Sequence, residues 1–162
     1  MLKMALQFKE KAKQIKALYQ GFQFVRKTEV VVGITEESDC ARENGITNAQ
    51  LLYLHENGVP SHNIPPRPVL KPAIAKAENS QRIAKLMRDG MKAAMVDGNL
   101  DAARQCYEKA GMLGRDACKN YIREGSNLAP NAPQTIARKG SSTPLIDTAS
   151  MLNSITYAVR KK

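Results

Sequence analysis

The stretch from Leu70 to Glu124, LKPAIAKAENSQRIAKLMRDGMKAAMVDGNLDAARQCYEKAGMLGRDACKNYIRE, decides the fold. Apolar residues recur through it at helical spacing. Leu70, Ala73, Ile74, Ala77, Ile83, Leu86 and Met87 mark the first half. Leu100, Ala103, Tyr107, Ala110, Leu113, Ala117, Tyr121 and Ile122 mark the second. Pro68 or Pro72 can open the first helix, because the proline's missing N–H is not needed in a first turn. That helix runs to about residue 95, with Gly90 as its weak point. Asp97-Gly98-Asn99 supplies a tight turn, and Gly125 ends the second helix. The spacing therefore predicts an antiparallel helical hairpin over residues 69–124.

On the N-terminal side, Glu29-Val30-Val31-Val32-Gly33-Ile34-Thr35 is rich in β-branched residues and reads as a strand. Gly33 within it suggests a bulge or a close backbone approach. Residues 36–46 read as a polar loop. Thr47 or Asn48 can cap a helix over Ala49–Glu56, which stops at Asn57-Gly58. Four prolines in the nine residues from Pro60 to Pro68 then force an extended, polyproline-like or sheet-edge path. Residues 1–21 form an amphipathic helix, with Leu2, Met4, Phe8, Ala12, Ile15, Leu18 and Tyr19 on one side and Gly21 as its stop. Bulky residues of this kind face a core or a partner subunit more often than a membrane surface.

Beyond the hairpin, residues 125–144 read as a loop, with Gln134–Arg138 extended within it. Asp147 is placed to cap a single helical turn through Leu152. Ile155-Thr156-Tyr157-Ala158-Val159 alternates as a closing strand. A 162-residue chain of this order suits a single α+β domain over residues 1–162: a small mixed or antiparallel sheet packed with helices, plus the hairpin and the N-terminal helix.

Composition narrows the partners. No apolar run approaches the ~20 residues of a membrane helix, and lysines interrupt the N-terminus, so neither a membrane span nor a signal peptide is expected. The net charge is +10, and residues 1–27 hold seven Lys/Arg against one acidic residue, giving +6. Arg160, Lys161 and Lys162 add +3, which leaves 10 − 6 − 3 = +1 for the body. Lys9, Lys11, Lys13, Lys16 and the C-terminal basic trio can face nucleic acid or an acidic partner, or can simply solvate a helix face. Cys40, Cys106 and Cys118 include no close pair, which argues against a disulfide framework or a zinc site and for reduced thiols.

Catalytic chemistry finds no footing. His55-Glu56 would need a second histidine one turn on to share a zinc ion, but position 59 is Val and the helix has stopped at Gly58. That makes a hydrolase using His55 and Glu56 the weakest reading. There is no nucleophile elbow and no glycine-rich phosphate loop. Glu36, Glu37 and Asp39 cluster in a polar loop, where solvation is the expected role. The residues predict no enzyme, no metal and no cofactor.

Three segments in order resemble a known family: VVVGIT at 30–35, NAQLLYLHENG at 48–58 leading into IPPRPVLKPAI at 64–74, and PLIDTASMLNSITYAV at 144–159. Together they are similar to the neck or tail-completion proteins of long-tailed bacteriophages, a family of minor tail and virion morphogenesis proteins. The matching positions are Asn48, Ala49, His55, Glu56, Gly58, Pro65, Arg67, Pro68, Leu70, Asp147, Thr148, Ser154 and Ile155. Val69 stands where the family usually has an aromatic, Ala149 where it has glycine, and Met151 where it has leucine. The resemblance implies a virion structural protein at the neck or tail junction, assembled in the host cytoplasm. Its implied partners are copies of itself in a hexameric or dodecameric ring, the portal or adaptor, tail terminator or tube proteins, and passing DNA. On this reading the motif residues form subunit interfaces, with Glu56 a candidate partner for Arg67. A small basic nucleic-acid-binding protein is the alternative.

Overall fold

The computed structural model describes residues 2–41, 45–140 and 142–162, with side chains from residue 7 onward. The readings placed on the Leu2 and Met4 side chains, on loop residues 42–44 and on Ser141 lie outside the described residues. Among the described residues the protein is mostly helical with one two-stranded sheet, an α+β arrangement. Its helices are α1 (Leu2–Lys27), α2 (Asn48–Asn57), α3 (Leu70–Ala75), α4 (Ala77–Met95), α5 (Leu100–Glu124), α6 (Pro133–Lys139) and α7 (Ser150–Ser154). The strands β1 (Thr28–Gly33) and β2 (Thr156–Lys161) pair with each other. The pairing is antiparallel: the N–H of Lys162 donates to the carbonyl of Lys27, and Arg160 Nε meets Glu29 Oε1 at 2.9 Å.

The chain divides into two compact units. The first contains residues 1–31, 81–111 and 159–162; the second contains 32–80 and 112–158. In the first, Ala93, Ala94 and Ala103 are buried, with Phe24, Val25 and Leu100 packed around them. Small residues let the helices approach closely. Gly21 sits against the carbonyl of Ala94, where any Cβ would collide, and a Cβ on Gly90 would come within 2.8 Å of the Tyr107 ring. Tyr107 also packs on Phe24, with ring centroids 5.4 Å apart. Gly21 is therefore not a helix stop. The helix runs through it to Lys27, because the glycine marks a crossing point at which only a bare Cα fits. Gly90 is likewise a packing position, although it remains the costlier residue for a helix.

The second unit is built around Val69, Ala73, Cys118, Tyr121, Ile122, Leu128, Leu152 and Ile155. Three readings of this region need correction. The first helix of the hairpin is broken at Lys76, whose ψ of 130° separates α3 from α4. Asn79 Nδ2 donates to the Ala73 carbonyl at 2.8 Å, so a side chain takes the acceptor that a continuing helix would use. Residues 133–139 are helical, not extended: Pro133 opens α6 and Gly140, at φ 66°, closes it. Asp147 does not cap α7. The cap position is Ala149 in the left-handed region, at φ 59°, and Thr148 Oγ1 accepts from the N–H of Ser150 at 3.4 Å. The 36–46 loop also holds one tight turn, Glu36–Ser38, capped from Thr35.

Candidate functional site

The motif residues lie mostly in the second unit, and α2 organises them. Thr47 caps this helix by accepting from the N–H of Gln50, whose side chain returns a bond to the N–H of Thr47. The Asp39 carboxylate accepts from the N–H of Ala49 at 3.0 Å. Burial pushes the Asp39 carboxyl up, but hydrogen bonds from the Thr47 side chain and the N–H groups of Ala49, Cys40 and Asn48 outweigh it and hold the group below its ordinary value. Gly58 closes α2 at φ 72° and donates to the Leu54 carbonyl at 2.8 Å. A Cβ there would also come within 2.8 Å of the Pro66 nitrogen, so two independent constraints demand glycine.

Asn48 is fully buried. Its Nδ2 donates to Ser150 Oγ at 3.0 Å and to Ser154 Oγ at 2.9 Å, bracing α2 against α7. Ser38 Oγ adds a bond to the Ser154 carbonyl at 2.9 Å. Residues separated by about a hundred positions in the chain thus form one polar cluster.

The proline segment runs extended along the end of α2. Arg67 and Val69 are buried while Pro66 and Pro68 are exposed, the alternation of an extended chain. The N–H of Arg67 donates to the His55 carbonyl at 2.6 Å. Glu56 Oε1 accepts from the N–H groups of Val69 at 2.7 Å and Leu70 at 2.8 Å, satisfying donors at the start of α3. Arg67 turns elsewhere: its Nε donates to the Ala129 carbonyl at 2.7 Å and its Nη2 to the Pro130 carbonyl at 2.8 Å. Burial lowers the pKa of its guanidinium. The Arg67–Glu56 pair considered from sequence is therefore replaced by two separate braces. The carboxylate is better used on two converging N–H groups, and the guanidinium fork matches two consecutive carbonyls.

These segments border a cleft of about 880 Å³, lined by His55, His62, Pro65, Arg67, Arg138, Asp147 and neighbouring residues. Asp147 and Thr148 are exposed, as is Pro65. His62 lies in a turn, Pro60–His62, with its Nδ1 3.0 Å from Ser61 Oγ. His55 and Glu56, adjacent on a helix, project about 100° apart. Glu56 goes to the backbone of α3 and His55 lines the cleft. Among the described residues, no group of three His, Cys, Asp or Glu side chains is placed to hold a metal ion. Cys118 is buried and its thiol is pushed up to about 12, by burial and then by the Glu56 charge; Cys40 is exposed.

The basic candidates belong to the first unit. Lys9, Lys11, Lys13 and Lys16 are all exposed on α1, and Arg160, Lys161 and Lys162 are exposed along and beyond β2, with Arg160 paired to Glu29. Sequence reasoning missed the carbonyls of Ala129 and Pro130, the Ser38 and Ser150 hydroxyls, and the role of Asp39. None of these left a local signal: even Asp39, which accepts from the N–H of Ala49, stands ten residues before it in the chain, too far for a capping position.

No family model, no curated protein and no solved structure matches this chain.

Proposed function

We propose that the chain is a non-catalytic virion protein, a ring subunit joining the portal–adaptor stack to the tail in a long-tailed bacteriophage. The observation that carries this reading is the ordered set of three motif segments, 30–35, 48–74 and 144–159. The use of their polar residues supports it. Asn48, Glu56, Arg67 and Ser154 are spent on bonds within the fold, as a rigid building block requires. A group committed to two buried braces is poorly placed to shuttle protons or attack a substrate. Among the described residues, no helix is long and apolar enough to cross a membrane.

A ring closes through heterologous contacts, in which one surface of a copy meets a different surface of the next. Native mass spectrometry of the purified protein, with negative-stain images, tests this directly. A closed ring of fixed copy number is expected; a strict monomer that also fails to join purified portal or tail components would remove the proposal.

A second reading has one observation in its favour. Lys9, Lys13 and Lys16 fall on one side of α1 and all are exposed, the arrangement of a helix that binds nucleic acid. It predicts affinity for DNA that falls steeply with salt. Unchanged binding after neutralising these lysines would exclude it.

A further inference from the structure

One side of α1 carries a seam of large apolar side chains that the described residues leave exposed, interrupted at Lys11. Phe8, Ile15, Leu18 and Phe22 are 71%, 67%, 49% and 50% exposed, and Tyr19 beside them is 63% exposed. The chain packs α1 from another side, through Ala17 against Gly98, Gly21 against Ala94 and Phe24 against Tyr107. Positions 8, 11, 15, 18 and 22 advance in alternating steps of three and four, the 3.5-residue period of a helix that packs on another helix.

The residues flanking the seam point to the occupant. With Phe8, Ile15 and Phe22 at the first core position of each heptad, Lys9, Lys13 and Lys16 fall on outward positions. Ala12, Gln14 and Tyr19 occupy the flanks where charges ordinarily select or repel a partner. Apart from Lys11, which takes the second core position of its heptad, the strongly basic helix therefore presents an uncharged contact strip, so two copies can meet with Lys9, Lys13 and Lys16 turned outward. Lys11 within the seam disfavours a bilayer, where its ammonium would lie on the face that enters the acyl region. Against a helix, its aliphatic stem can pack while its charge reaches solvent.

We propose that α1 is a self-association helix, whose Phe8–Ile15–Leu18–Phe22 seam packs on α1 of a second copy. Five large side chains at this exposure offer at most roughly 600 Å² per copy, so pairing can bury up to about 1,200 Å², in the range of a small specific interface. The contact does not depend on the ring reading: a seam that meets the same seam closes at a pair, apart from any heterologous contact that closes a ring.

Sedimentation of the full chain over a concentration series, with Ile15→Glu and Lys11→Leu variants, tests it. Residue 15 lies outside both cores, so Ile15→Glu should keep the helix content and melting temperature of the monomer. The wild type should associate, Ile15→Glu should weaken association on the order of 30-fold, and Lys11→Leu should tighten it. A monomeric wild type, or an assembly whose mass and affinity Ile15→Glu leaves unchanged, overturns the proposal. So does a monomer that floats with phosphatidylcholine–phosphatidylserine vesicles and loses that binding with Ile15→Glu. A wild-type pair that Ile15→Glu splits would keep the seam while removing the ring, so the two proposals fail separately.

Discussion

Replacing Arg67 with methionine keeps much of the side-chain volume and removes the fork that holds residues 129 and 130. Arg67 is only 7% exposed, and its two bonds, 2.7 Å to Ala129 and 2.8 Å to Pro130, leave two carbonyls without donors when it goes. Hydrogen bonds from a charged donor contribute about 1.5–3 kcal/mol each. The relief of burying a guanidinium offsets part of that. A net loss of about 2–4 kcal/mol follows, equivalent to roughly 6–12 °C in Tm for a chain of this size. Arg67→Lys keeps the charge but reaches only one carbonyl, so it should lose about half as much. Urea unfolding followed by circular dichroism measures both variants. Hydrogen exchange should show the segment around Leu128 opening early in Arg67→Met, because Leu128 is a core residue held next to the braced carbonyls. An unfolding free energy within about 0.5 kcal/mol of wild type would refute the brace and leave Arg67 free for a partner.

Other perturbations probe the same framework. Asn48→Ala removes a fully buried donor from Ser150 and Ser154 and should cost about 2–3 kcal/mol in urea unfolding. Ala149→Gly should raise stability by roughly 0.5 kcal/mol, since alanine at φ 59° carries a left-handed penalty that glycine avoids, against a small loss of packing. Thiol titration of the native protein should find Cys40 fast and Cys118 protected, with Cys118 reacting only on denaturation. The raised Cys118 pKa also sets an alkaline limit. From the ordinary 9.0 up to about 12, the unfolded chain releases a proton that the folded chain keeps. Stability should therefore fall as pH rises through that window, by about 1 kcal/mol at pH 10, and Cys118→Ala should flatten the slope.

The legible parts of the fold were those governed by local periodicity. The α5 helix follows its apolar repeat from Leu100 to Ile122, and α2 follows its Thr47 cap and Gly58 stop. The illegible parts depend on side chains that compete with the backbone or on distant packing. Gly21 looked like a terminator because its partner, the Ala94 carbonyl, is supplied by another helix. Asn79 breaks the hairpin's first helix by bonding to Ala73, a choice open to any helical asparagine. For α6, the Pro133 and Gly140 signals were present, but seven residues are too few for an apolar period to register. At the motif cluster, residue types pointed to Arg67, Glu56 and Asn48 but not to their partners. The acceptors of Arg67 are backbone carbonyls, which every residue carries and which therefore leave no mark in sequence.

The proposed role predicts that a phage genome carries this chain's gene, and the most direct test is to delete the gene there and image the products by negative stain. The account predicts heads and tails that form but fail to join. Normally joined, infectious particles in the deletion would contradict it.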